Sequence, residues 1–209
     1  MPEAVSCPLV AADGCALEAE VAVAADERAG MVLCHPHPLY GGTMRSLVIS
    51  ALFDALPAAG VTCVRFNFRG VEGSEGIHDE GRGERLDAAA AVGALADRLA
   101  PETPLVLTGW SFGADVALST LDPKVRGWFA IAPPLHYVDA DAPVGADERP
   151  KRVVLAEHDE VRRPTEVEAA VAAWRATDVT VVGGASHFFV GRTDRLVRLA
   201  QRFVDVVVG

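Results

Sequence analysis

The sequence is short of positive charge, and of lysine above all. Two of its 19 cationic side chains are lysine, set against 29 carboxylates, for a formal net charge of −10. So acidic a surface repels phosphate backbones and anionic membranes. No basic patch with interleaved aromatics interrupts it, so neither nucleic acid nor membrane is an expected partner. No apolar run approaches the ~20 residues that cross a bilayer. The opening stretch, MPEAVSCPLVAADG, lacks a basic segment followed by an apolar one, so no signal peptide is read there and a cytoplasmic protein is expected. Cysteine is sparse, at positions 7, 15, 34 and 63, without the C-x2-C spacing of a zinc or redox site. Cys34 and Cys63 lie in apolar runs and read as small buried hydrophobes. Cys7 and Cys15 could face each other across a turn at ADG, but reduced thiols are expected. There is no repeat of fixed period and no long linker, and 209 residues suit one domain with its own core.

What is present is an alternation of short apolar runs and amphipathic segments. LEAEVAVA (17–24) alternates like a strand with one wet face. GMVLC (30–34), VTCVRFNF (61–68), PLVLT (104–108), VRGWFAIAPP (125–134), RVVLAEHD (152–159) and VTVVGG (179–184) read as buried strands. Helices are expected over 45–59, capped by Gly60, and over 84–99, 112–121, 165–175 and 194–207, with a loop at 135–150. About six strands alternating with helices, plus an N-terminal edge pair, imply an α/β fold. It is a three-layer α-β-α sandwich around a mostly parallel sheet. In such sheets ligands bind beyond the carboxyl ends of the strands. The polar residues that follow strands are therefore the candidates.

Ser111 is the first. Strand, Gly109, Trp110, Ser111, Phe112, Gly113, helix is the G-x-S-x-G nucleophile elbow, which strains the serine backbone and exposes its hydroxyl at a helix start. Serine needs a base, and His187 is the one histidine beyond the last strand. The base needs an orienting acid, and Asp159 follows a strand between the two; Asp139, Asp141 and Glu157 are weaker alternatives. Asp178 precedes its strand and so belongs to the wrong end of the sheet. His158, beside the acid, reads as a wall residue. The order Ser111, Asp159, His187 is that of the α/β-hydrolase class. An oxyanion hole needs two aimed donors. One is the Phe112 N–H. The other comes from HPHPLYGG (35–42), where Pro36 and Pro38 have none to give. Leu39 is the expected donor and Tyr40 the second choice. His35 and His37 lack a third ligand at metal spacing and are expected to brace this loop. Arg69, at a strand end, either pairs with Glu72 or Glu75 or contacts substrate. His37, Tyr40, Arg69, Trp110, Pro134 and Phe188 complete the expected pocket.

HPHPLYGGTM, VRFNFRGVEGSEG, GWSFGADVAL, IAPP, HDEV and GASHFFVGR occur in an order that resembles the α/β-hydrolase superfamily. The likeness is to its short capless members, related to dienelactone hydrolase and to small bacterial carboxylesterases, and it covers almost the whole chain. It implies Ser111, Asp159 and His187 as a triad, the 35–42 loop as the oxyanion side, and acyl transfer without metal or organic cofactor. Dienelactone hydrolases use a cysteine nucleophile where this chain has serine, which argues against dienelactone as substrate. The expected function is a serine hydrolase acting on a carboxylic ester of a small molecule with a short acyl group, as a monomer or homodimer. An acyltransferase or peroxyacid-forming enzyme would share the acyl-enzyme. A non-catalytic binding protein would be expected to lack a triad member. The loop at 135–150 is too short for a lid domain, so the site should be open, roofed by 38–43, VEGSEG (71–76) and 135–141.

Overall fold

The computed structural model describes residues 4–138 and 142–209. Its strands are β1 (Ala4–Ser6), β2 (Leu9–Val10), β3 (Ala16–Leu17), β4 (Ala19–Ala22), β5 (Ala29–Cys34), β6 (Val61–Phe66), β7 (Leu105–Trp110), β8 (Val125–Ile131), β9 (Lys151–His158) and β10 (Thr177–Ser186). Its helices are α1 (Leu47–Ala55), α2 (Arg82–Ala96), α3 (Phe112–Ser119), α4 (Pro143–Ala146), α5 (Pro164–Val171) and α6 (Thr193–Val208). Eight strands form one sheet in the order β1-β4-β6-β5-β7-β8-β9-β10, and β2 pairs with β3 apart from it. β1, β4 and β6 pair antiparallel, while β6, β5, β7, β8, β9 and β10 run parallel.

The apolar runs become strands because both sheet faces are covered. Along β5, Val32 and Cys34 pack toward α2 and α3, while Met31 and Leu33 pack toward α1 and α6. This alternation divides one strand between two cores. On the first face α2 supplies Ala88, Ala91, Val92 and Leu95. On the second α1 supplies Val48, Ile49 and Leu52, and α6 supplies Leu196, Ala200 and Phe203. The helix expected over 45–59 is shorter. It begins at Leu47 and gives way to a 3₁₀ turn at Leu56–Ala59. Pro57 has no N–H to continue an α-helix, and Gly60 then takes the left-handed conformation (φ 80°) that ends the turn.

From β5 the chain crosses to β6 on one side, and later returns to place β7 on the other. The loops leaving β5 and β7 therefore part at a topological switch point, where a crevice opens. HPHPLYGG leaves β5 there, and the elbow leaves β7.

Candidate active site

Ser111 has φ 56° and ψ −124°, a conformation that side chains other than glycine rarely adopt. The turn is enforced by close contacts. A Cβ on Gly109 would lie 2.0 Å from the Gly113 carbonyl oxygen, and one on Gly113 would lie 2.3 Å from that of Cys34. Only glycine permits either approach. The Ser111 N–H donates to the Ile131 carbonyl at 2.8 Å, which pins the serine to β8.

His187 follows β10, whose register shifts between Val182 and Ser186 as the strand ends. The Trp110 indole N–H donates to the His187 carbonyl at 3.1 Å, and the His187 N–H donates to Glu160 Oε2 at 3.3 Å. Its Nδ1 lies 3.0 and 2.9 Å from the two oxygens of Asp159, and its Nε2 lies 2.9 Å from Ser111 Oγ. With Nδ1–H donating to the carboxylate, Nε2 is left to accept the serine proton. Asp159 Oδ1 also accepts the N–H groups of Val161 and Arg162, which fix the carboxylate. The Asp159 and His187 side chains are buried. Of the alternative acids, Glu157 accepts the Gly184 N–H, and Asp139 and Asp141 lie outside the described residues. Asp178 pairs with Arg152 at the start of β10.

Ser111 opens into a cavity of about 650 Å³. Among the sequence candidates, His37, Tyr40, Trp110, Phe112, Pro134 and Phe188 line it. Its other walls include Leu47, His136, Tyr137 and Val161, and no Asp, Glu, Lys or Arg is among its described lining residues. Tyr40 (87 % exposed) and Phe188 (58 %) stand at the mouth. His136 and Tyr137 belong to the 135–141 segment expected over the site, and both line the cavity. A second cavity, about 330 Å³, lies between the end of α2 and the starts of β7 and β8, lined by Pro101, Lys124 and Arg126 among others, far in the sheet from the strand ends that hold Ser111.

Five expectations need correction. Leu39 does not line the cavity and is 71 % exposed. Its N–H donates to His37 Nδ1 at 3.2 Å, because the 3₁₀ turn Pro38–Tyr40 folds it back on the preceding residue. The Tyr40 N–H is likewise taken, by the His37 carbonyl at 3.1 Å. Gly41 and Gly42 donate within the loop as well, to Pro38 and His37. The one N–H of 36–42 without an acceptor among the described residues is that of His37. Arg69 leaves the pocket altogether. Its guanidinium binds Asp87 (2.7 Å) and Asp13 (2.8 Å), which raise its pKa, rather than Glu72 or Glu75. VEGSEG, expected as a roof, does not line the cavity; Glu75 and Gly76 border a separate depression beside Arg69. His158 is exposed, near Glu157, and lines no part of the site.

The loop histidines are bracing groups. Buried His35 donates from Nδ1 to the Pro36 carbonyl at 2.6 Å and accepts the Phe68 N–H on Nε2 at 3.0 Å. Burial lowers its pKa to about 3, so it stays neutral. His37 is lowered too, by burial and then by His78. Its Nδ1 accepts from Leu39, so its Nε2 carries the proton and donates to the Tyr137 oxygen at 3.3 Å. No group of three or more metal-ligating side chains occurs among the described residues, and none of the described helices is long and apolar enough to cross a membrane.

No family model matches the chain. An uncharacterised protein of Rickettsia prowazekii is 31% identical, over 84% of this chain and 78% of its own. Among solved structures, an alpha-beta serine hydrolase homologue from Coxiella burnetii is 33% identical with a TM-score of 0.85, covering 97% of both chains. A serine hydrolase without lid from Xanthomonas campestris is 29% identical with a TM-score of 0.81, covering 97% of this chain and 93% of its own. With this fold, and with that identity over nearly its full length, the chain belongs to the α/β-hydrolase superfamily, among its serine hydrolases without a cap domain.

Proposed function

We propose that this chain hydrolyses small, neutral carboxylic esters through an acyl-enzyme on Ser111. The observation that carries the reading is the unbroken line from Ser111 Oγ to His187 Nε2 and from His187 Nδ1 to Asp159, opening on a cavity without charged walls. Ser111 Oγ attacks the ester carbonyl as His187 Nε2 takes its proton. Asp159 stays ionised and holds the imidazole in that orientation. The oxyanion is received by two N–H groups. Phe112 opens α3 and so has no carbonyl within the helix to bond. His37 takes the second position, since the Leu39 and Tyr40 donors are spent within the loop. His187 then gives its proton to the alcohol as the ester C–O bond breaks, takes one from the water that attacks the acyl carbon, and returns it to Ser111 Oγ as the bond from Oγ to the acyl carbon breaks and the acid is released. Four unpaired cysteines, Cys7, Cys15, Cys34 and Cys63, suit a reducing compartment, and the cytoplasm is the proposed location.

A fluorophosphonate probe followed by mass mapping tests this. Labelling at Ser111, lost in Ser111→Ala, is the expected result. Label on Ser46, Ser50 or Ser186, or none at all, overturns the reading.

A further inference from the structure

Asp115 stands one helical turn after Ser111 on α3 and is 0 % exposed. Nothing in the reaction above uses it. Its carboxylate faces three backbone donors of one short segment. Oδ1 accepts the Leu135 N–H at 2.9 Å, and Oδ2 accepts those of His136 at 2.8 Å and Tyr137 at 3.1 Å. Arg162, the cation facing it, gives its own hydrogen bond to the Pro134 carbonyl. The segment does not hold this shape by local preference, because Leu135 has φ 54°, a left-handed value costly for leucine. Further ties reach the Tyr137 carbonyl, from Arg85 Nη2 and from Ser119 Oγ, each at 3.1 Å.

The segment is a wall of the site: Pro134, His136 and Tyr137 line the cavity. The Tyr137 ring meets Phe112 edge-on with centroids 5.1 Å apart, and its hydroxyl oxygen lies 3.3 Å from His37 Nε2. Asp115 thus ties together the helix that begins at the nucleophile, the wall beside it and, through Tyr137, the loop that offers the His37 N–H. Asparagine is nearly the same shape but has one acceptor oxygen, and its NH2 would face an N–H donor.

We propose that Asp115 is a positioning residue, whose carboxylate holds 135–137 in place and thereby sets the His37 loop against Ser111. The proposal rests on the ester-hydrolase reading and adds a residue to it. Asp115 does not touch the substrate. A donor displaced by an ångström costs on the order of a hundredfold in rate.

The test compares wild type, Asp115→Asn, Tyr137→Phe and the double variant. It measures amide hydrogen exchange over 132–138 and kcat and KM for p-nitrophenyl acetate. In Asp115→Asn the 135–137 amides should exchange at least about 10-fold faster, with β7 and α3 unchanged, and kcat should fall about 10- to 100-fold while KM moves less than about threefold. Tyr137→Phe should lower kcat by a smaller factor. The double variant should be no worse than Asp115→Asn, since both act along one path. Wild-type kcat in Asp115→Asn, unchanged exchange at 135–137, or losses that multiply in the double variant would each overturn the proposal. If Asp115→Asn does not fold, Tyr137→Phe decides: wild-type kcat in that variant ends it, and a fall in kcat at constant KM upholds it. Failure of wild type to label at Ser111 sinks the hydrolase reading instead, and is a separate observation.

Discussion

Two buried aspartates, Asp87 and Asp159, each partner a basic side chain near the carboxyl end of the sheet, and they are built for opposite purposes. Asp87, on α2, grips Arg69 with both oxygens and also accepts its backbone N–H. Both members are buried, and Arg69 is bound a second time by Asp13. A guanidinium does not lose its proton, so this pair can only hold. Asp159 grips His187, whose other nitrogen faces Ser111 at 2.9 Å. An imidazole can both accept and donate a proton, as the proposed reaction asks of this pair. A buried carboxylate becomes chemistry or scaffold according to the base it holds.

Changing each acid in turn separates the two roles. Asp159→Asn should cost about 10⁴-fold in kcat, because the amide cannot hold the reactive tautomer. Its urea-unfolding free energy should change little beside that loss. A full-rate Asp159→Asn enzyme would move the orienting role to Glu157 or to a residue outside 4–138 and 142–209. Asp87→Asn should do the reverse. It leaves the buried guanidinium with Asp13 as its carboxylate partner and should lose about 2 kcal/mol of stability, while its folded fraction keeps kcat/KM within about threefold of wild type. Equal losses of activity in the two variants would erase the distinction.

Asp115 lies between these cases, since its partners are backbone dipoles, and titration exposes that. Burial pushes its carboxyl up to about 6, although three N–H donors and Arg162 pull it down. Its unfolded value is about 3.9. Between those values the native state binds the extra proton, so this contribution to stability is complete below about pH 4 and lost as pH rises through about 6. The stability difference, wild type minus Asp115→Asn, should therefore fall by about 2 kcal/mol from pH 4 to 7. A flat difference in urea titrations would show that Asp115 ionises normally. The smallest effect expected is on substrate length. Each methylene buried is worth about 0.8 kcal/mol, and an open mouth with Tyr40 and Phe188 exposed buries few of them. Across p-nitrophenyl esters from two to sixteen carbons, kcat/KM should favour acetyl to butyryl, and a steady rise to the longest chains would reveal a deep acyl channel.

The fold is legible in the sequence because its signals are local. Apolar runs such as MVLC and VTCVRF can be buried only between two layers, and glycine at 109 and 113 announces a close backbone crossing. Ser111, Asp159 and His187, which the structure brings together, share one readable property: each follows a strand, and strand ends meet at one edge. What is not legible depends on which hydrogen bonds are already taken. Leu39 is as good a donor as His37 until the 3₁₀ turn spends its N–H. Arg69 has Glu72 and Glu75 as neighbours in sequence, but its partner Asp87 comes from the buried face of a helix 18 residues on. The same holds for Asp115. An aspartate in an apolar helix is an oddity in the sequence, and only the fold puts 135–137 in front of it.

The backbone of Ser111 has an evolutionary consequence. At φ 56° and ψ −124° the chain stores on the order of 1–3 kcal/mol of strain at the proposed nucleophile, and glycine would bear none of it. Selection for hydrolysis and selection for stability therefore pull against each other at this one position. In a lineage released from the need to hydrolyse, serine here would be among the first residues to drift, and glycine its most favoured successor.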